Sequence, residues 1–272
     1  MAIQNKPKRW LNKPPLGVQI NWGHPLANGL LACYLLNEGA GTIANNLATK
    51  GNGILQSASG SGPWTNDRIG PTISIPSTNN WFQESVATAA LPISVVTIVS
   101  FSALGARAYF GSHEDAGETH GWYLFKGGTD TFCWGSLTSG ENIGTLTFTI
   151  TNAYYFTAIT APVATNFTFY IGLLGQPINS QNISATTIAG TLTKFNVGHG
   201  NAITGASLNI AMMLYYNRGL TLGELNWLNI EPYAFMRPMS PAIRQNFASA
   251  VVKTMVPGIF QNPVDPLSIV TV

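Results

Sequence analysis

Helical spacing occurs in one short stretch of this 272-residue chain. Leu222, Leu225 and Leu228 form a narrow apolar stripe, with Thr221 and Glu224 ahead of them as a capping box. Pro232 closes the stretch. Nearly everything else alternates with period two. Ile73 and Ile75 alternate with Thr72 and Ser74, and Phe167, Phe169 and Ile171 fall on one face. Leu146, Phe148 and Ile150 face away from threonines, and the runs ISVVTIVSFSAL and SLNIAMMLYYNR read as long strands. The run GLLACYLLNEG is apolar on both faces, as in a central strand. Such runs, separated by glycine-rich turns as at Gly60–Pro63 and Lys126–Asp130, define an all-β sandwich or jelly roll with one short C-terminal helix.

Charge then limits what such a sandwich can do. Charged residues make up 9% of the chain, against roughly 25% in an ordinary soluble domain. Hydrophobic residues make up 45%, enough for a sizeable core. The surface must be largely Thr, Ser, Asn and Gly, which suits a protein packed against neighbours. A net charge of +2 gives no field for nucleic acid. The basic, proline-broken start has no apolar core of a secretory signal. Residues 86–106 are long and uncharged but hold Pro92 and β-branched alternation, so they read as strand rather than membrane span. Without a signal for export, Cys33 and Cys133 are expected to be buried free thiols.

Three regions follow. Residues 1–25 read as an N-terminal arm, basic at Lys6, Lys8, Arg9 and Lys13 and broken by Pro7, Pro14 and Pro15. Residues 26–238 are the β domain, and residues 239–272 are a C-terminal arm, apolar and nearly uncharged. An apolar tail with strand propensity needs cover, either from its own domain or from a neighbour, and the neighbour is the expected one. Partner docking is therefore assigned to Lys8, Arg9, Trp10, Val251, Val252, Ile259, Phe260 and Ile269.

The dense polar cluster HEDAGETH, with His113, Glu114, Asp115, Glu118 and His120, has metal-ligand types, but it reads as a solvated hairpin loop. No metal or other cofactor is expected. Glu114 and Asp115 are adjacent, so in extended chain they point to opposite faces and cannot act as an acid and nucleophile pair. No catalytic residue is assigned. Sugar binding needs exposed aromatic faces beside amides and hydroxyls. Trp64, Trp81, Trp122 and Trp134 are the candidates, placed in or beside loops with Asn66, Asn79, Asn80 and Thr131. The preferred reading of those aromatics is as plugs at the ends of the core, with sugar binding as its alternative.

The C-terminal part resembles LamG-like members of the concanavalin A-like lectin/glucanase superfamily. Residues 216–221 (YNRGLT), residues 224–228 (ELNWL) and residues 231–238 (EPYAFMRP) match that family's closing strand, helix and tail in order. NGLLACYLLNEGAG and KFNVGHG resemble its first strand and the approach to its last. The family's acidic residue in the last strand is absent, since that stretch here is Leu208-Asn209-Ile210-Ala211. The resemblance implies a concanavalin A-like jelly roll. Single domains of this kind resemble tailed-phage structural proteins, which implies a non-enzymatic virion protein, a capsid decoration or tail-surface component made in the host cytoplasm. Its partners would be other virion proteins and copies of itself, with no nucleic acid and no membrane. A module recognising host glycans is the alternative.

Overall fold

The computed structural model describes residues 13–48, 52–57, 64–75, 80–85, 91–101, 108–114, 121–127, 131–136, 140–147, 153–163, 166–184, 194–197 and 208–237. Its strands, in chain order, are β1 (Gln19–Ile20), β2 (Leu30–Tyr34), β3 (Ile43–Asn45), β4 (Asn52–Ser57), β5 (Trp64–Asp67) and β6 (Gly70–Ile75). There follow β7 (Asn80–Ser85), β8 (Ile93–Phe101), β9 (Ala108–Glu114), β10 (Gly121–Gly127), β11 (Thr131–Ser136) and β12 (Gly140–Thr147). The series ends with β13 (Tyr154–Val163), β14 (Asn166–Leu173), β15 (Asn179–Ser184), β16 (Lys194–Val197), β17 (Leu208–Tyr216), helix α1 (Leu222–Ile230) and β18 (Met236–Arg237).

Among the described residues, two antiparallel sheets and one short α-helix form an all-β sandwich. The first sheet runs β15-β14-β13-β8-β17-β6-β5, with β2 also paired to β17. The second runs β12-β11-β10-β9-β16-β7-β4-β3, and β9 passes close to β17. A small ribbon pairs β1 with β18.

Strand β17 organises the first sheet. One side pairs with β8 throughout; the other pairs first with β6 and then with β2. The register shifts between Ile210 and Met212. A bulge of this kind reverses the parity of the strand. Ile210 lies opposite Val99, while Met212 and Leu214 lie opposite Ile98 and Val96. Met212, Leu214 and Tyr216 thereby join Val96, Ile98 and Phe156 in one cluster with Val18, Ile20, Leu26, Leu225 and Leu228. The first sheet is thus covered on that face by the N-terminal segment and α1. Its other face is buried too, at Val95, Val99, Tyr155, Ile159 and Ile210. The Thr97 and Thr157 hydroxyls on paired positions bond to each other, which satisfies two polar groups with no water. Double cover also explains Thr72, which alternates with Ile73 and is as deeply buried.

The helix is capped as its sequence requires. The Glu224 amide donates to the Thr221 hydroxyl at 3.3 Å and the Thr221 amide to the Glu224 carboxylate at 2.9 Å. The three-leucine stripe is corrected in one place. Leu225 and Leu228 are fully buried, but Leu222 is 51% exposed. The third buried residue is Asn229, which accepts from the Gly175 amide at 2.9 Å and donates to the Gln176 carbonyl, tying the helix to the β14–β15 turn.

Residues 13–25, assigned from sequence to an arm, pack on the sandwich. Val18 and Ile20 are buried, and β1 takes β18 as partner. Residues 1–12, with Lys8, Arg9 and Trp10, lie outside the described residues, as do Val251, Val252, Ile259, Phe260 and Ile269. Phe148 and Ile150 do as well. Cys33 is buried and free, and burial pushes its thiol far above the usual range.

Candidate functional site

A cleft opens at the β5 edge of the first sheet. Strands β5 and β6 form a two-residue hairpin, pairing Trp64 with Ile73 and Asp67 with Gly70. Gly70 has φ +99°, a backbone that favours glycine, and the Lys13 side chain passes 3.7 Å from where a Cβ would stand. Lys13, Pro14, Pro15 and Leu16 form one wall, Asn37 another, and Ile69, Gly70 and Pro71 the floor of a cavity of about 420 Å3.

Hydrogen bonds fix these walls. Lys13 Nζ donates to the carbonyls of Leu36, at 3.1 Å, and Pro71. Leu36 takes the left-handed backbone, φ +52°, while its side chain is buried. This strained conformation persists because the packing around it holds it. Asn37 Nδ2 donates to the Pro14 carbonyl at 2.8 Å. Trp64 Nε1 donates to the Gly41 carbonyl at 2.8 Å, which pins the loop after β2 against β5. Glu38 accepts from the Asn45 amide at 2.7 Å and from its side chain at 2.9 Å. Burial pushes the Lys13 ammonium down to about 7, against the opposing pull of Glu38.

Beside the cleft stands a polar cluster that the sequence did not suggest. Asp67 Oδ2 accepts from the Tyr154 hydroxyl at 2.7 Å and from Asn209 Nδ2 at 3.2 Å, and Oδ1 accepts from the Arg68 amide at 2.6 Å. The Arg68 guanidinium lies 5.4 Å from the centroid of the Tyr154 ring. Burial would raise the Asp67 carboxyl, but these donors outweigh it and hold it below the usual range. Burial and the adjacent carboxylate raise the Tyr154 phenol. Asn209, on β17, reaches the Asp67 carboxylate across β6. The cluster links β5 to β13 and β17. Asp67 serves there as a hydrogen-bond acceptor that stays ionised.

Trp64 alone of the four candidate tryptophans lies at this edge, half-buried. The others lie within strands of the second sheet, not in loops: Trp81 in β7, Trp122 in β10 and Trp134 in β11. Along the backbone Trp122 is opposite His113 and Ser136, and Trp134 is opposite Leu124 and Gly144. Strands β9 and β10 pair as the two arms of a hairpin, whose connecting residues 115–120 lie outside the described residues. Of HEDAGETH, His113 and Glu114 close β9. Among the described residues no group of three or more His, Cys, Asp and Glu could hold a metal ion. No helix among them is long and apolar enough to cross a membrane. Asp67 and Tyr154 went unmarked in the sequence, since single polar residues in strands carry no local signal, and Lys13 was marked only as part of an arm.

Among the described residues, two sheets, an edge cleft and one short α-helix define an all-β sandwich. No family model matches the chain, and no curated protein matches its sequence. Solved structures match the fold. The binding domain of Paraclostridial Mosquitocidal Protein 1 superposes with TM-score 0.58 at 15% identity, over 77% of this chain and 53% of that one. A botulinum neurotoxin type C structure, of a toxin whose cell entry depends on interaction with two ganglioside molecules, gives 0.55 at 8%, over 74% and 51%. Trypanosoma rangeli sialidase gives 0.57 at 13%, over 76% and 33%. The chain spans about half the length of the two toxin structures.

Proposed function

We propose that this protein is a non-catalytic glycan-binding module whose site is the cleft between residues 13–16, Asn37 and the β5–β6 hairpin. The cleft itself carries the reading. Its volume, about 420 Å3, lies within the roughly 300–1,000 Å3 typical of small-ligand sites. Proline and leucine faces suit the apolar side of a pyranose, and Asn37 and the main chain offer hydrogen bonds for its hydroxyls. The toxin domains that share the fold are named for receptor binding or for dependence on gangliosides, which supports the reading for this chain.

Calorimetric titration of the full chain with a broad oligosaccharide panel tests it. At least one saccharide is expected to bind and to be recovered intact, with affinity reduced tenfold or more in Leu16→Asp and in Asn37→Ala. Failure of every saccharide to bind sinks the site, and hydrolysis of a bound one sinks the non-catalytic part.

Composition supports a second reading, compatible with the first. With 9% charged residues, the surface suits a virion component completed by neighbouring subunits, either capsid decoration or tail. The resemblance to LamG-like phage proteins points the same way. Locating the chain on intact particles by electron microscopy tests this.

A further inference from the structure

The outer face of α1 is apolar and open to solvent. Leu222 is 51% exposed, Trp227 40% and Ile230 58%. Gly223 and Asn226 complete that face, so it bears no formal charge. Nearby in the chain, Trp22 is 56% exposed, two residues from His24, whose ring lies 4.8 Å from the Trp227 ring. Leu222, Trp227 and Ile230 together form an exposed apolar face, which proteins rarely leave bare.

We propose that residues 239–272 of the same chain fold back and cover this face. The described chain ends in β18, paired with β1, and the Asn21 amide donates to the Phe235 carbonyl at 2.8 Å. The described chain therefore ends opposite Gln19, a few residues along the chain from Trp22 and His24. Reach is ample, since ten extended residues span about 33 Å. Chemistry matches as well: residues 239–272 carry Val251, Val252, Ile259 and Phe260, with Arg244, Lys253 and Asp265 as their charges. Apolar residues on both partners gain by leaving water. A tethered segment also meets its own face at an effective concentration of order millimolar, far above that of a neighbour in dilute solution. The sequence assigned this segment to a neighbouring subunit; in the isolated chain, tethering favours its own helix.

Limited trypsin digestion of the full chain, followed by mass spectrometry, tests the proposal through cleavage after Lys253. Trp227→Gln combined with Ile230→Gln is expected to speed that cleavage tenfold or more. A tail variant, Val251→Asp with Val252→Asp, leaves the sandwich untouched and should do the same. It should also raise hydroxyl-radical labelling of Trp22 and Trp227 several-fold. Equal cleavage rates in all three proteins overturn the proposal. So does protection that appears only with an oligomer in sedimentation, which would assign the face to a neighbour's tail.

Discussion

Leu228→Ala is expected to destabilise the sandwich by about 2–5 kcal/mol, and Leu225→Ala by a similar amount, in urea unfolding. Both side chains are fully buried, in the cluster that joins α1 to Val96, Ile98 and Leu214 of the first sheet. Truncation removes their transfer free energy and leaves a cavity that the surrounding packing only partly fills. Leu222→Ala, by contrast, should change stability by less than about 0.5 kcal/mol, as surface substitutions do. Its side chain is 51% exposed although it continues the same spacing. If Leu222→Ala costs as much as Leu228→Ala, the helix is rotated from the orientation described.

Glu224→Gln should cost about 1.5–3 kcal/mol at neutral pH, the range for hydrogen bonds to charged groups. Arg218 donates to both Glu224 oxygens, at 3.0 and 2.7 Å, a bidentate pair about one-fifth exposed. The same guanidinium donates to the Asn28 carbonyl at 2.7 Å, and the Arg218 carbonyl accepts from the Ser94 hydroxyl at 2.8 Å. Glu224 also closes the capping box, so this one side chain couples the helix start, the end of β17 and the turn before β2. The Arg218 hydrogen bonds hold its carboxyl below the usual range, with burial opposing. A carboxyl lowered by folding stabilises fully above its unfolded pKa, and that contribution is lost as pH falls through the folded value. Wild type and Glu224→Gln should therefore differ most near neutrality and converge in acid. A gap that stays constant to low pH contradicts the assigned pairing.

These residues show what could be read from the sequence. Thr221, Glu224 and Pro232 carry a local signal, because capping and helix termination depend on residues a few positions apart. Around Gly29, the Asn217 amide donates to the Gly29 carbonyl at 2.9 Å and Arg218 joins Asn28 to Glu224, and a Cβ at Gly29, φ +73°, would stand 2.7 Å from Asn217 Oδ1. The alternation in β14 was legible, since Phe167, Phe169 and Ile171 are all buried. Other features were hidden because they depend on what lies across the sheet. The bulge at Ala211 replaces one apolar residue with another, so parity reverses without any change in pattern. Thr72 is buried because a second layer covers its face. Basic and proline-rich character suggested an arm through residues 13–25, but Lys13 finds its partners at Leu36 and Pro71, far along the chain. Of the cleft lining, Lys13, Pro14 and Pro15 were read only as parts of an arm, while Trp64 was marked on the neighbouring strand β5. The cleft is made by segments that meet only in three dimensions.

The most direct test of the glycan-binding account is where a bound saccharide perturbs the protein. Nuclear magnetic resonance of the full chain, titrated with a saccharide that binds, should shift the Trp64 indole N–H and the amides of Asn37, Gly41 and Gly70 together, with one dissociation constant. Shifts confined to the indoles of Trp81, Trp122 and Trp134, with the β5 edge unchanged, would contradict it.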